Sequence, residues 1–486
     1  MVSKDAMLMK TLQAVRPTDE QLKLMVRPRP GTLIIRGAAG SGKTTTSILM
    51  MKLSIGYFLE EFARLGIQEK INIKIFTFNK TLSAYINDLV VSETLLSTPE
   101  NSNKLDIDVL TLSKYMYNRI DGNPEILSFQ EQAQEIRRIR HSIPLSIQFL
   151  IDEVEYLLGR LDEGRLENYI DMERAGRGTV PRIEKPLRRQ ILDEVVYPYI
   201  RNKQAKKLLD WNDIAVLFVK NKVDNIHIAI IDEAQDFSAN QLKAISNQLA
   251  DINFTTIILD SNQKIYKRGF TWREAGIDTT NTRYARLELN YRNTVEIAIF
   301  ASRLIEKSAI AIDDDGTLPI LDAIKRRGPL PIVLEGRFNR QLDFVINHIL
   351  QNIDLKNETI GFLHAKGGGW FDGVGGIRDR LRKENLPFVE ISGESSWPPG
   401  ETNIALSTIH SAKGLEFDHV FILGLEERHF SFSFADSQDS DYASIVKLIS
   451  MGITRAKESI ILGYHPYTRP FFIDHLDRDT FQKVVL

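Results

Sequence analysis

Short apolar, β-branched runs alternate along this chain with stretches whose apolar positions repeat at helical spacing. In the first half the runs are TLIIR (32–36), INIKIFTF (71–78), IHIAIID (226–232) and FTTIILD (254–260). In the second half they are PIVLE (331–335), TIGFLH (359–364), NIALSTI (403–409), HVFILGL (419–425) and SIILGY (459–464). Strands that alternate with helices predict an α/β fold with parallel sheets, here in two units. Residues 112–207 break the pattern. They are charged and helical in period with few strand signals, and they fall between the second and third strand candidates. They are expected to form a helical subdomain inserted in the first unit. The glycine cluster KGGGWFDGVGG (366–376) is expected to be a mobile loop. There is no internal repeat and no low-complexity tract.

Composition narrows the class. With 486 residues, about three domains is a fair expectation at roughly 150 residues each. Hydrophobic residues make up 43% and charged residues 26%, as in an ordinary globular protein. The net charge of −2 excludes a broadly basic nucleic-acid coat but leaves room for a local basic channel. The chain has no cysteine, hence no disulfide framework and no thiolate metal site. No run is long enough to span a membrane and the N-terminus lacks the apolar core of a signal peptide, so a cytoplasmic protein without a membrane partner is expected.

Candidate chemistry begins at IIRGAAGSGKTTTSILM (34–50). Gly37, Ala38, Ala39, Gly40, Ser41, Gly42, Lys43 and Thr44 fit the pattern G-x-x-x-x-G-K-[ST] between an expected strand and an expected helix. Such a loop wraps backbone N–H groups around phosphate oxygens, and the helix adds its positive N-terminal end. Lys43 then serves the β- and γ-phosphates and the Thr44 hydroxyl serves Mg²⁺. The partner carboxylates come from IAIIDEAQDFS (228–238), where an apolar strand delivers Asp232 and Glu233 to its C-terminal end. Asp232 is the expected second Mg²⁺ ligand, and Glu233 the base that orients and deprotonates water. An Asp-Glu pair by itself also fits a solvated strand end; combined with the phosphate loop it points to ATP hydrolysis.

Further motifs follow in order. They are TDEQ (18–21), TFNKTLSAYI (77–86), DEAQD (232–236), LDSNQKIYKRGF (259–270), LELNYRNT (287–294), STIHSAKGLEFDHVFILGL (407–425) and MGITRAKE (451–458). Over nearly the whole chain this series resembles superfamily 1 helicases of the UvrD/Rep/PcrA type. The resemblance implies two RecA-like P-loop motor domains with a helical insertion in the first: residues 1–111 and 208–290 for the first motor domain, 112–207 for the insertion, 291–486 for the second. It implies ATP and Mg²⁺ as cofactors. It puts Gln21 at the adenine edge, Tyr291 on the adenine face, Thr45 after the phosphate loop, Glu416 at the ribose with Gly414 beside it, and Gln263, Arg292 and Arg455 at the γ-phosphate. If Arg292 and Arg455 reach one phosphate with Lys43, ATP lies between two domains and hydrolysis opens the cleft, a motor stroke.

The resemblance also implies a single-stranded DNA track and 3′-to-5′ polarity. Tyr266 is the first stacking candidate, followed by Phe270 and Trp272, while Thr77, Asn79, Thr111, Thr408 and His410 match positions that touch nucleic acid in the family. Base stacking on aromatics is indifferent to sequence. The chain departs from the family at Arg268 and Leu112, where aromatics are usual, and at Thr45, often an arginine. The basic runs RRIRH (137–141), PLRRQ (186–190) and RNKQAKK (201–207) read either as solvated helix faces or as phosphate contacts. Between Arg292 and Thr408 there is no room for the large second insertion of the well-known helicases. Two functions stay open: an ATP-driven translocase or helicase, and a DNA-sensing ATPase subunit that regulates a partner nuclease or effector. Small chains of this shape occur in phage-defence systems such as Gabija. A protein partner, plausibly a nuclease, is expected in either case.

Overall fold

The computed structural model describes residues 18–25, 29–37, 41–78, 83, 86–87, 90, 103–139, 143–174, 182–259, 271–287, 292–308, 324, 326–365, 376–391, 402–427 and 439–486. Thirteen strands among them form two all-parallel sheets. The first contains β1 (Gly31–Gly37), β2 (Ile71–Thr77), β3 (Leu105–Thr111), β4 (Ile226–Ile231), β5 (Leu249–Leu259) and β6 (Arg283–Leu287), in the order β3-β2-β4-β5-β1-β6. The second contains β7 (Ile332–Glu335), β8 (Ile360–His364), β9 (Phe388–Ile391), β10 (Ile404–Thr408), β11 (Phe417–Leu425), β12 (Ala456–Tyr464) and β13 (Gln482–Val485), in the order β13-β7-β12-β11-β8-β10-β9. The two expected parallel-sheet units are therefore present.

All nine strand candidates form strands. The four strands that the hydrophobic pattern did not reveal are β3, β6, β9 and β13, which are the edges of the two sheets. An interior strand is covered on both sides and reads as a mostly apolar run; β4 is buried at every position. An edge strand carries charge: β3 presents Asp106 and Asp108, held by the buried Lys74 at 2.8 and 2.7 Å.

The insertion has its own apolar core, from Ala133 and Ile136 through Phe149, Val154 and Tyr169 to Val196 and Ile200. The helix Leu112–Tyr117 packs instead in the first sheet's core, with Leu112, Tyr115 and Met116 beside Phe76, Phe218 and Ile231. The expected boundary at residue 112 thus lies one helix upstream of the insertion's own cluster. The insertion docks at one corner: Asn240 donates from its backbone to Gly159 O at 2.8 Å and from its side chain to Leu158 O at 3.1 Å. A Cβ at Gly159 would lie 2.8 Å from Ser238 Cβ, so only glycine allows this approach. The chain returns through Asp210, which caps the helix Trp211–Lys220 and holds Tyr199 and Lys203.

One apolar cluster includes residues of both sheets, from Ile73, Phe254 and Ile258 to Val420, Ile422 and Leu462. No helix among the described residues is long and apolar enough to cross a membrane.

Candidate nucleotide cleft

In the first sheet β1 and β4 flank β5, so their C-terminal ends open side by side. β1 runs into the phosphate loop and then the helix Lys43–Leu65. Gly42 at its start has φ 73°, a left-handed conformation, and a Cβ there would lie 2.5 Å from Gln21 Nε2. A Cβ at Gly37 would lie 2.5 Å from Ser41 Oγ and 2.9 Å from Lys43 Cγ. The loop therefore needs glycine at 37 for close packing and at 42 for its left-handed backbone. Lys43 Nζ donates to Gly37 O at 2.9 Å, folded over the loop. Ser41 Oγ is buried without a hydrogen-bond partner, as a hydroxyl meant for a phosphate oxygen would be.

Across β5, Asp232 follows β4 and Thr44 Oγ1 donates to its Oδ2 at 3.0 Å. A hydroxyl oxygen and a carboxylate oxygen meeting at a helix N-terminus are a donor set that suits Mg²⁺. Burial, then the neighbouring Glu233 charge, pushes Asp232 up to about 7, with the Thr44 hydrogen bond opposing. Glu233 is a buried non-glycine residue at φ 54°. Few residues adopt that backbone, and the carboxylate accepts from Gln235 and pairs with Lys413. Burial raises the Glu233 pKa, but Lys413 and Lys43 outweigh it and leave the carboxyl below its ordinary range.

The second sheet presents the opposite ends of its strands. Glu416 and Arg455 immediately precede β11 and β12, which are paired through Phe417 and Ala456. Arg455 is buried; its Nε donates to Met451 O at 3.1 Å and its Nη1 to Leu415 O at 3.3 Å. Arg292 Nη2 pairs with Glu416. Burial raises the Glu416 pKa, and Arg292, Lys457 and Arg455 bring it below its ordinary range. Lys413 crosses between the sheets: its Nζ lies 3.1 Å from Glu233 Oε2 and also pairs with Asp236. Lys413, from the segment between β10 and β11 of the second sheet, thus touches two carboxylates, Glu233 and Asp236, of the segment that follows β4 in the first.

The structure brings Lys43, Thr44, Asp232 and Glu233 together, and Arg292, Glu416 and Arg455 together opposite them. Gln21 is buried and donates to Gly42 O at 3.2 Å, tying the helix Asp19–Met25 to the phosphate loop. Thr45 is half-buried on the first turn of the loop's helix, and Gly414 turns at φ 86° just before Glu416. Of the nucleic-acid candidates, Thr77 is buried at the end of β2, and Thr111 caps the next helix by accepting from Lys114 N. Trp272 packs against the first sheet's core, and Thr408 Oγ1 donates to Ser411 Oγ in the turn that also carries His410. Ala38, Ala39, Gly40, Asn79, Gln263, Tyr266, Phe270 and Tyr291 lie outside the described residues. The sequence reading passed over Lys413, Asp236 and Asn293. Lys413 and Asp236 stand within STIHSAKGLEFDHVFILGL and DEAQD, but only the tertiary contact pairs them.

A family model for the UvrD/REP helicase N-terminal domain matches residues 18–287, and one for the UvrD-like helicase C-terminal domain matches residues 392–467. A probable DNA helicase of Mycoplasma pneumoniae is 24% identical over 244 residues, 49% of this chain and 44% of that protein. DNA helicase II of Escherichia coli is 32% identical over 105 residues, 20% of this chain and 15% of that protein. The ATP-dependent DNA helicase PcrA of Bacillus subtilis is 41% identical over 63 residues, 13% of this chain and 8% of that protein. The match thus spans less than half the length of each of these relatives. The two parallel-sheet units accord with the paired RecA-like motor domains of such proteins. With the first family model covering more than half of its residues, the chain belongs to the UvrD/REP helicase family.

Proposed function

We propose that this chain is an ATP hydrolase of the helicase type, a motor that uses ATP and Mg²⁺ to step along single-stranded DNA in the 3′-to-5′ direction. The observation that carries the reading is the facing of two half-sites: Lys43, Thr44, Asp232 and Glu233 from one sheet, and Arg292, Glu416 and Arg455 from the other, joined by the Lys413 contact. Thr44 and Asp232 would hold Mg²⁺, which when bound neutralises phosphate charge. Lys43 leaves Gly37 O for the phosphates. Glu233 accepts the proton of the attacking water. Arg292 and Arg455 meet the charge that develops on the terminal phosphate, a contribution on the order of 10³–10⁵ in rate for such arginines. Because these groups come from two domains, phosphate loss removes the bridge between them and lets the cleft open.

The test is the ATPase rate with and without single-stranded DNA, with RNA as a second polymer, followed by strand displacement on duplexes with 3′ or 5′ tails. No stimulation by either polymer would refute the motor reading.

A second reading is favoured by the elements between Arg292 and Thr408. The described residues there are taken up by the helix Val295–Lys307, β7, the helix Phe338–Asn352, β8, the helix Ile377–Lys383, β9 and β10, all built on the second sheet. That leaves only short stretches for any accessory domain. Opening a duplex costs about 1.4 kcal/mol per base-pair step in stacking, and the paired region must be held against the fork. On this reading the chain is a DNA-sensing ATPase that unwinds little alone and regulates a partner, plausibly a nuclease, in a phage-defence system. Fast, processive unwinding of a duplex of about 50 base pairs, many such steps, by the purified chain would eliminate it.

A further inference from the structure

Asn293 follows Arg292, and its side chain is fully buried. Its Nδ2 donates to Thr454 O at 3.1 Å and to Ala456 O. Those residues flank Arg455 on either side. A single carboxamide therefore grips both peptide groups around one arginine, while its own backbone carries the other arginine. A second contact supports the same alignment from the solvent side. Arg326 Nη1 donates to Arg292 O, and its Nη2 pairs with Glu458, three residues beyond Arg455. The backbone N–H of Val295 donates to Arg326 O at 2.9 Å. Gly328 lies so close to Thr294 that a Cβ would be 2.6 Å from Thr294 Cγ2. The two guanidiniums are linked as well: Arg292 pairs with Glu416, and Arg455 donates to the carbonyl of the preceding residue, Leu415.

Both arginine side chains are held near their own backbones, Arg292 by Glu416 and Arg455 by the Met451 and Leu415 carbonyls, so their joint arrival at one small group depends on how those backbones are spaced. Both hydrogens of the Asn293 amide are committed to that spacing. We propose that Asn293 is a positioning residue that sets Arg292 and Arg455 in register for the terminal phosphate, with Arg326 bracing the same register; this rests on the nucleotide reading above.

The test uses the full chain and five variants: Asn293→Ala, Arg326→Ala, Arg292→Ala, Arg455→Ala and the double variant Asn293→Ala/Arg455→Ala. The readouts are kcat for ATP with single-stranded DNA and affinity for a fluorescent ADP, which lacks the phosphate in question. Asn293→Ala is expected to lower kcat about 10- to 100-fold, the scale of a small misplacement of a catalytic group. ADP affinity should stay within about twofold. In the double variant the loss due to Asn293→Ala should be smaller than in the wild-type background, because part of it acts through Arg455 and only the part through Arg292 remains. A merely structural role would weaken ADP binding and would multiply with Arg455→Ala. A wild-type kcat in folded Asn293→Ala, or an undiminished Asn293→Ala loss in the double variant, overturns the proposal. Should Asn293→Ala fail to bind ADP, Arg326→Ala decides: the side chain is 40% exposed, so its loss is tolerated by the fold. Several-fold loss of kcat there supports the bracing, and an unchanged kcat overturns it. Wild-type turnover by Arg292→Ala and Arg455→Ala is a separate result that removes the nucleotide reading of the arginines and the proposal with it.

Discussion

Replacing Lys413 by Met tests whether the two sheets face each other in solution as they do here. The side chain keeps its length and loses its charge. Lys413 is 4% exposed, Asp236 0% and Glu233 10%, so no water takes over from the ammonium. Burial by itself lowers the lysine pKa, but the two carboxylates outweigh that and hold it above the ordinary range. At 3.1 Å from Glu233 and an effective dielectric of ~20, the Coulomb attraction is about 5 kcal/mol. Removing one partner of a buried pair leaves an uncompensated charge and costs about 3–5 kcal/mol. Lys413→Met is therefore expected to lose ~3–5 kcal/mol of apparent stability in denaturant unfolding at neutral pH without nucleotide. The loss should persist at roughly 0.5 M salt, because buried pairs are screened weakly. Adding Glu233→Gln should recover part of it, with a coupling of ~1–3 kcal/mol. A variant within about 0.5 kcal/mol of wild type, the usual span of surface substitutions, would show that this bridge does not join the sheets in solution.

Glu233→Gln should retain ATP binding and lose turnover by about 10²–10⁴-fold, checked by nucleotide binding and steady-state hydrolysis. Gly42→Ala meets both the left-handed φ and the 2.5 Å approach to Gln21, so nucleotide affinity should fall at least tenfold in a fluorescent-ADP titration, about 1.4 kcal/mol. Lys43→Ala should abolish nucleotide binding or hydrolysis, since the phosphates lose their mobile cation. Burial, then the Asp210 charge, raises the Asp213 pKa, with Lys203 opposing. A raised carboxyl costs stability when ionised, so the protein should gain stability as pH falls from neutrality through that raised value toward the unfolded-state value near 4, and Asp213→Asn should flatten this part of the profile.

The sequence by itself determined the interior of this protein. Nine strands were legible because each has a strand neighbour on both sides and so carries a mostly apolar, β-branched stretch, even where a polar residue such as Lys74 interrupts it. The phosphate loop was legible because its chemistry is local: a left-handed Gly42, a glycine at 37 and a lysine at a helix start occupy one short segment. Asp232 and Glu233 were legible as the polar end of a fully buried strand. The four edge strands were not, because an edge faces solvent on one side and its sequence mixes charge into the pattern, as Asp106, Asp108 and Arg283 do. Only the tertiary structure decided which charges meet. Lys413 and Asp236 are 177 residues apart, and Asn293 and Ala456 163. No periodicity records contacts of that span; they exist because parallel sheets bring strand ends from distant segments into one plane, and because a buried charge or amide must then find its partner there.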